Sequence, residues 1–410
     1  MKRLLLGSTA MLGAGAFGIG FTAAPAMAAD GIKLAVGGFF KEAYQVVIDD
    51  DGEGDLGNEH NTDGFFNDAE IHFTGSTVLD NGLEVGARVE LEGETDNDGE
   101  GGGDQIDEAW VWFAGGFGEV RIGSDDDALA NACIVPPGGT GNFSAFSPNQ
   151  WGANSGGAFF FGGSSNSICT GVDAAGDAQK LIYITPNFSG FQLTVSYTPN
   201  ETVENHTNGG GPHVGMPGHG LGQSRHNFSV YGTYNYEGDG WGLTAGLGGS
   251  FEGHVEESSF VPRNVAEQDF YQAGINLTFG NFAIGVAGEY YNDLAGQFEK
   301  SSDAFFKADS WVAGIGASYT MDAWTFGAQY SHREDDIEAE LFYPSEDVDF
   351  SQDRAVLTAL YRLGPGIQVD GEIAYTWNGS DPNDFANVFI PDTISSYDAV
   401  EFGIGTSITF

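Results

Sequence analysis

Glu401-Phe402-Gly403-Ile404-Gly405-Thr406-Ser407-Ile408-Thr409-Phe410 is the stretch whose reading decides the fold. Phe402, Ile404, Thr406, Ile408 and Phe410 alternate with Glu401, Gly403, Gly405, Ser407 and Thr409. One side of the segment is apolar and aromatic, the other small or polar. A period of two is the signature of a β-strand with one apolar face, because successive side chains point to opposite sides.

The pattern recurs upstream. Leu83, Val85, Ala87, Val89 and Leu91 alternate with Glu84, Gly86, Arg88, Glu90 and Glu92. Phe191, Leu193, Val195 and Tyr197 do the same, as do Trp311, Ala313, Ile315, Ala317 and Tyr319. Sixteen strands are predicted: 32–48, 65–79, 82–95, 105–114, 117–124, 178–186, 190–198, 225–237, 240–251, 267–279, 282–294, 305–320, 323–335, 350–363, 366–378 and 398–410. Gly and Ala are frequent on both faces, and the polar face carries charges of both signs. A wide barrel with a wet interior and lipid outside reads this way.

The connections carry a second signal. Asp80-Asn81, Gly115-Gly116, Asn187-Phe188-Ser189, Gly238-Asp239, Gly280-Asn281, Met321-Asp322 and Gly364-Pro365 are tight, and Gly, Asn and Asp suit the positive-φ positions of hairpin turns. Between them lie long polar connections at 49–64, 96–104, 125–177, 199–224, 252–266, 295–304, 336–349 and 379–397. Strict alternation of short and long puts all turns at one end and all loops at the other. That asymmetry belongs to a transmembrane antiparallel β-barrel with short periplasmic turns and long surface loops. Phe188, Trp241, Trp324, Trp377 and Phe410 sit near strand ends, where aromatic girdles lie.

Composition narrows the function. The 410 residues include 59 acids against 14 Lys and Arg, a formal charge of −45. Such a chain does not bind nucleic acid through its bulk field. Its 32 Phe exclude a disordered acidic tail, and two Cys exclude a disulfide-dense scaffold or a four-Cys zinc module. Lys2 and Arg3, an apolar stretch to about Ala23 and the cleavage pattern Ala26-Met27-Ala28 read as a secretory signal peptide over 1–28. The mature barrel domain is then 29–410, and export makes disulfides permissible.

Asp107-Glu108-Ala109-Trp110-Val111-Trp112-Phe113 running into Gly118-Glu119-Val120-Arg121-Ile122-Gly123 resembles the Gram-negative trimeric porin family, the 16-stranded general diffusion pores. So does Tyr183-Ile184-Thr185-Pro186-Asn187-Phe188-Ser189-Gly190-Phe191 followed by Val195-Ser196-Tyr197-Thr198-Pro199. Phe410 matches the terminal aromatic such barrels show to their assembly machinery. The resemblance implies an outer-membrane homotrimer in contact with lipid and lipopolysaccharide. It also implies that the third long loop, 125–177, folds into the pore and constricts it.

In that family a field crosses the constriction between loop acids and wall bases. Asp125, Asp126 and Asp127 are the expected loop acids. Arg88, Arg121, Arg333 and Arg354 fall on inward strand positions, with Lys33 and Lys41 as weaker candidates. Phe143, Phe146, Trp151, Phe159, Phe160 and Phe161 would let the loop pack on a wall. Cys133 and Cys169 both lie in it, and a disulfide is expected; it would close a loop of about 37 residues, worth roughly 4 kcal/mol. With the charge at −47 after cleavage of Lys2 and Arg3, the pore should hold negative potential and favour cations weakly.

No cofactor is required by this reading. Asp96, Asp98 and Asp107 partly match calcium-loop spacing, so Ca²⁺ at acidic loops is an expectation, as it is for Asp49-Asp50-Asp51 with Glu53 and Asp55. His206, His213, His219 and His226 match no zinc spacing. No nucleophile elbow, Walker loop or His-Glu-x-x-His occurs, so an enzyme is not expected. The expected function is passive diffusion of ions and small hydrophilic solutes. A substrate-specific channel and a secreted acidic β-protein or adhesin are the alternatives.

Overall fold

The computed structural model describes residues 31–50, 62–93, 106–146, 166, 168–169, 176–200, 224–255, 264–265, 268–292, 298–299, 304–341, 346–380 and 396–410. The expected leader 1–28, Asp96, Asp98, His206, His213 and His219 lie outside the described residues. So do Asp51, Glu53, Asp55, Trp151, Phe159, Phe160 and Phe161.

Sixteen long strands form the wall: Lys33–Asp50 (β1), Asp63–Val78 (β2), Glu84–Glu92 (β3), Ala109–Gly115 (β4), Gly118–Ser124 (β5), Gln179–Ile184 (β6), Phe191–Asn200 (β7), Ser224–Gly238 (β8), Trp241–Phe251 (β9), Asp269–Phe279 (β10), Phe282–Asn292 (β11), Ala304–Met321 (β12), Trp324–Leu341 (β13), Glu346–Gly364 (β14), Ile367–Ser380 (β15) and Ser396–Thr409 (β16). Each pairs antiparallel with its chain neighbours, and β16 pairs back on β1 from Phe39↔Thr409 to Asp50↔Asp398. The sheet is therefore closed and has no edge. Three two-residue strand segments, at His254–Val255, Asn264–Val265 and Phe298–Glu299, extend pairings beyond the loop ends of the wall. The one described helix, Ala128–Ala132 (α1), follows β5.

Positive φ recurs at all seven short turns. Glycine takes it at six of them and Asp322, with φ 54°, at the seventh. This is why Gly, Asn and Asp marked these turns in the sequence. The expected loop 336–349 is mostly strand instead, since β13 runs to Leu341 and β14 restarts at Glu346. Ile337, Ala339 and Leu341 continue the period of two there; frequent acids gave the segment a loop-like composition without breaking the ladder.

The burial pattern is inverted relative to a water-soluble sheet. Outward Leu247, Leu357 and Ile404 are 70%, 61% and 61% exposed, while inward Ser331 and Thr376 are at 0%. An apolar band of this kind needs lipid around it. At the short-turn end Phe282 packs on Tyr319 and Trp324 on Tyr361, with ring centres 4.6 and 4.7 Å apart. Towards the loop end Tyr44 meets Phe65 and Tyr330 meets Trp377. The small hydrophobic core lies inside the barrel. Leu129, Ile134, Ala145, Phe146 and Ile168 of the connection after β5 pack against Tyr231, Phe270, Tyr291, Val312 and Val356 of the wall.

Candidate functional site

The connection after β5 turns inward at Asp125. Asp127 caps α1: its carboxylate accepts from Leu129 N at 2.7 Å and Ala130 N at 3.0 Å, and from the Ser250 hydroxyl at 2.5 Å. Ala128 N donates to Ser196 Oγ and Leu129 N to Ser229 Oγ, at 3.1 and 2.9 Å. Three serines on the inner faces of β7, β8 and β9 thus dock the first turn of the loop and satisfy helix-end donors that would otherwise be orphaned.

The loop then runs along the wall. Gln272 of β10 donates to Ile134 O at 2.8 Å, and Asn276 to Val135 O at 2.9 Å. Gln329 of β13 donates to Pro136 O at 3.1 Å and accepts from Ala145 N at 2.9 Å, holding both arms of a bend. Thr358 of β14 donates to Gly138 O, and Asp370 of β15 accepts from Asn142 Nδ2 at 2.7 Å. Inner glycines give the loop room: a Cβ at Gly316 would strike Pro137 O, and one at Gly403 the Phe143 ring. Every one of these bonds satisfies a loop group that would be costly to bury unpaired.

Cys133 and Cys169 are disulfide-bonded, with Cα atoms 5.6 Å apart. Beside the bridge, Glu289 of β11 accepts from Cys169 N at 2.5 Å and from the Tyr291 hydroxyl at 2.7 Å.

The root of the loop is acidic. Asp126 N donates to Glu108 Oε1 at 3.0 Å, and carboxylate oxygens of Glu108, Asp126 and Asp177 lie within 4.8 Å of one another. Burial, then the neighbouring Asp125 and Asp126, push the Glu108 carboxyl up to about 10. Burial and Asp177 push Asp126 to about 7. Lys180 of β6 donates to Asp125 O and to Gly176 O, joining the outgoing and returning arms.

The structure separates the expected bases into two sets. Arg88 and Arg121 keep 21% and 22% side-chain exposure on the inner wall of β3 and β5. Arg88 pairs with Glu90; Arg121 pairs with Glu119 at 2.5 Å and Asp125 at 3.0 Å. Arg333 and Arg354 are 4% and 1% exposed. Arg354 bonds Glu401 at 2.5 Å and Thr376 at 3.0 Å, with Glu372 at 3.5 Å, and Arg333 bonds Asp335 at 2.8 Å. These two guanidiniums face inward, but they are buried in the wall and do not meet the water of the lumen. Asp125 and Asp127, at 2% exposure each, are likewise held by partners, Asp127 as a helix cap. Asp126 is the partly exposed member of the three.

Asp107 lies with Glu70 and Glu92, their oxygens within 4.8 Å of one another, so one of three expected calcium ligands has acidic neighbours on β2 and β3. His226 hydrogen-bonds the Tyr197 hydroxyl at 2.6 Å. Sequence reading missed Glu108, Asp177 and Lys180. Their roles come from where the two loop arms meet, which no local spacing encodes. Gln272, Gln329 and Asp370 had a signal: polar residues on inward positions of strands.

A sequence profile of the family described as Gram-negative porin matches residues 9–381. A protein of Halomonas sp. named monosaccharide porin is 30% identical over 245 residues, 58% of this chain and 61% of that protein, so the match spans less than two thirds of the relative. The trimer form of OmpT, an outer membrane protein of Vibrio cholerae, superposes with TM-score 0.55 at 12% identity, covering 93% of this chain and 100% of that one. The anion-selective porin of Comamonas acidovorans superposes at 0.52 with 16% identity, covering 92% and 100%. At such identities the structures speak for the fold, and the profile speaks for the family. The closed 16-stranded wall, its lipid-facing outer surface and its inward loop are thus those of an outer-membrane protein, and the chain belongs to the Gram-negative porin family.

Proposed function

We propose that the protein is a water-filled channel through which ions and small hydrophilic solutes diffuse down their gradients, with a preference for cations, and that it works as a homotrimer. The observation that carries this reading is the uneven lining. The loop after β5 is bound to the inner faces of β7–β16, while on the opposite wall Lys41 of β1, Arg88 of β3 and Arg121 of β5 keep 25%, 21% and 22% of their side-chain surface exposed. That loop, 125–177, is then the constriction. On the open side Arg88 and Arg121 are each paired with acids, and Asp126, Glu108 and Asp177 stand beside them.

Glu108 keeps its proton at neutral pH, so the negative potential comes from the excess of acids over the whole chain, 59 against 14 Lys and Arg, and is strongest at low salt where the Debye length is long. The trimer is supported by the form of the Vibrio cholerae relative in the fold comparison. No bond is made or broken in such a passage; energy comes from the gradient. Planar-bilayer conductance of the detergent-purified protein tests it. Stepwise ohmic currents are expected, with a cation-side reversal potential in a potassium chloride gradient that shrinks as salt rises. A reversal potential of anion sign would overturn the cation preference, and a silent bilayer would overturn the channel.

A further inference from the structure

Beside the Cys133–Cys169 bridge, β11 places a buried carboxylate where a neutral group would serve. Elsewhere the wall holds this loop with the amides of Gln272 and Gln329. Glu289, 4% exposed, accepts instead through Oε1 from Cys169 N at 2.5 Å and through Oε2 from the Tyr291 hydroxyl at 2.7 Å. A glutamine accepts such bonds without a buried charge. Oε1 also lies 3.7 Å from Cys133 Sγ. A bridged sulfur carries no proton, so no hydrogen bond accounts for that approach. Cys169 keeps its N–H on Glu289 at φ 74°, a left-handed conformation that is costly for a residue with a side chain.

Both sulfurs and a Glu289 oxygen lie within 4.8 Å of one another. Two thiolates and a carboxylate are a ligand set for a thiophilic divalent ion. With bonds of about 2.3 Å to sulfur and about 2.1 Å to oxygen, a tetrahedral ion holds such a pair of atoms about 3.6 Å apart. The Cys133–Glu289 contact already has that separation. Tyr291 fixes the other carboxylate oxygen, as the outer partner of a ligating carboxylate does. Arg333 of β13, with its guanidinium 6.0 Å from the centre of the Tyr291 ring, adds positive charge nearby.

The ligands are thiolates, so the bridge must open first. A small dithiol reductant supplies two electrons to the S–S bond; the two cysteines become thiols and the reductant becomes a cyclic disulfide. The ion then displaces the two thiol protons, which pass to water. Both cysteines are half-buried rather than sealed in the core, which leaves reductant and ion a way in.

We propose that Cys133, Cys169 and Glu289, once a dithiol has reduced the bridge, bind one divalent cation of the zinc and cadmium class, and that the ion takes over from the disulfide as the clamp on the returning arm of the loop.

The test uses the detergent-purified protein, reduced with dithiothreitol, freed of reductant by gel filtration without air and titrated with Cd²⁺. The ultraviolet absorption of cadmium thiolate is the readout. Saturation at one ion per chain is expected, with no such band in the unreduced protein. Tyr291→Phe, which keeps the ring but releases the carboxylate, should raise the dissociation constant about tenfold, and Glu289→Gln by at least as much. In a bilayer, Cd²⁺ should return the current noise of the reduced channel to the unreduced level. A reduced protein that shows no saturating band would overturn the site. Affinity equal to the parent's in both variants would leave a bare pair of thiols and remove Glu289 from the proposal. Binding is read by absorption, so a protein silent in the bilayer would count against the channel and not against this site.

Discussion

Arg354 shows how position decides what a charge does. Parity along β14 places it inside, as the sequence predicts, yet 1% exposure and bonds to Glu401 and Thr376 make it a rivet between β14, β15 and β16. Gln45 of β1 ties in by donating to Glu372 at 2.6 Å and Glu401 at 3.0 Å. Arg354→Met would leave two buried carboxylates without their cation. We expect a loss of about 3–5 kcal/mol, read as a lower unfolding temperature of the detergent-solubilised protein. Arg121, at 22% exposure, should cost far less on the same substitution. Glu108 gives a second prediction. Its carboxyl and that of Asp126 are raised, so the folded protein holds protons that the unfolded chain releases. Their contribution to stability is full in acid and lost as pH rises, through about 7 for Asp126 and about 10 for Glu108. Glu108→Gln should melt higher than the parent at pH 8 and nearly equal to it at pH 4. A gap that is the same at both pH values would sink the idea.

At the level of elements, the loop after β5 is the informative piece. Its place as the third long connection and its aromatics were legible, and Phe143 and Phe146 do pack at 5% and 3% exposure. Its route was not. Which inner glutamine or threonine receives it depends on how far each strand lies round the barrel, and that emerges only on closure. Strand positions were the most legible feature, because period two survives even where acids replace apolar residues; among the described residues composition misled most at 336–349, and briefly at the short strand segments inside 252–266 and 295–304. Gln329 is the element's weakest single point of failure, since one side chain serves both arms of the bend. Gln329→Ala should remove about 2–3 kcal/mol of tethering and raise open-channel noise. The double substitution Cys133→Ser with Cys169→Ser frees the returning arm and should do the same, with a wall that still assembles. Current noise equal to the parent's in both variants would show that the remaining bonds suffice.

On the scale of the whole molecule, the inverted distribution of polar and apolar groups has a direct test. Leu357 is 61% exposed on the outer face of β14, opposite Ala328 of β13 and Ile373 of β15 in the ladder. Leu357→Arg should cost about 2–4 kcal/mol in a bilayer, the range for a basic residue at mid-membrane. The same substitution at Leu363, near the short-turn end, should cost about 1 kcal/mol or less. Equal costs would contradict the depth assigned by the aromatic girdles. The whole wall also hangs on its seam. Gly38 and Phe410 exchange backbone bonds at 3.1 Å, and the ladder from there to Asp50↔Asp398 joins the earliest strand to the latest. Until β16 arrives, β1 and β15 both present bare edges that lipid cannot satisfy. Insertion therefore has no stable halfway stage: a growing wall remains costly to hold in the bilayer until its far side is in place. The cell that makes it gains a membrane in which partly built walls do not linger as leaks.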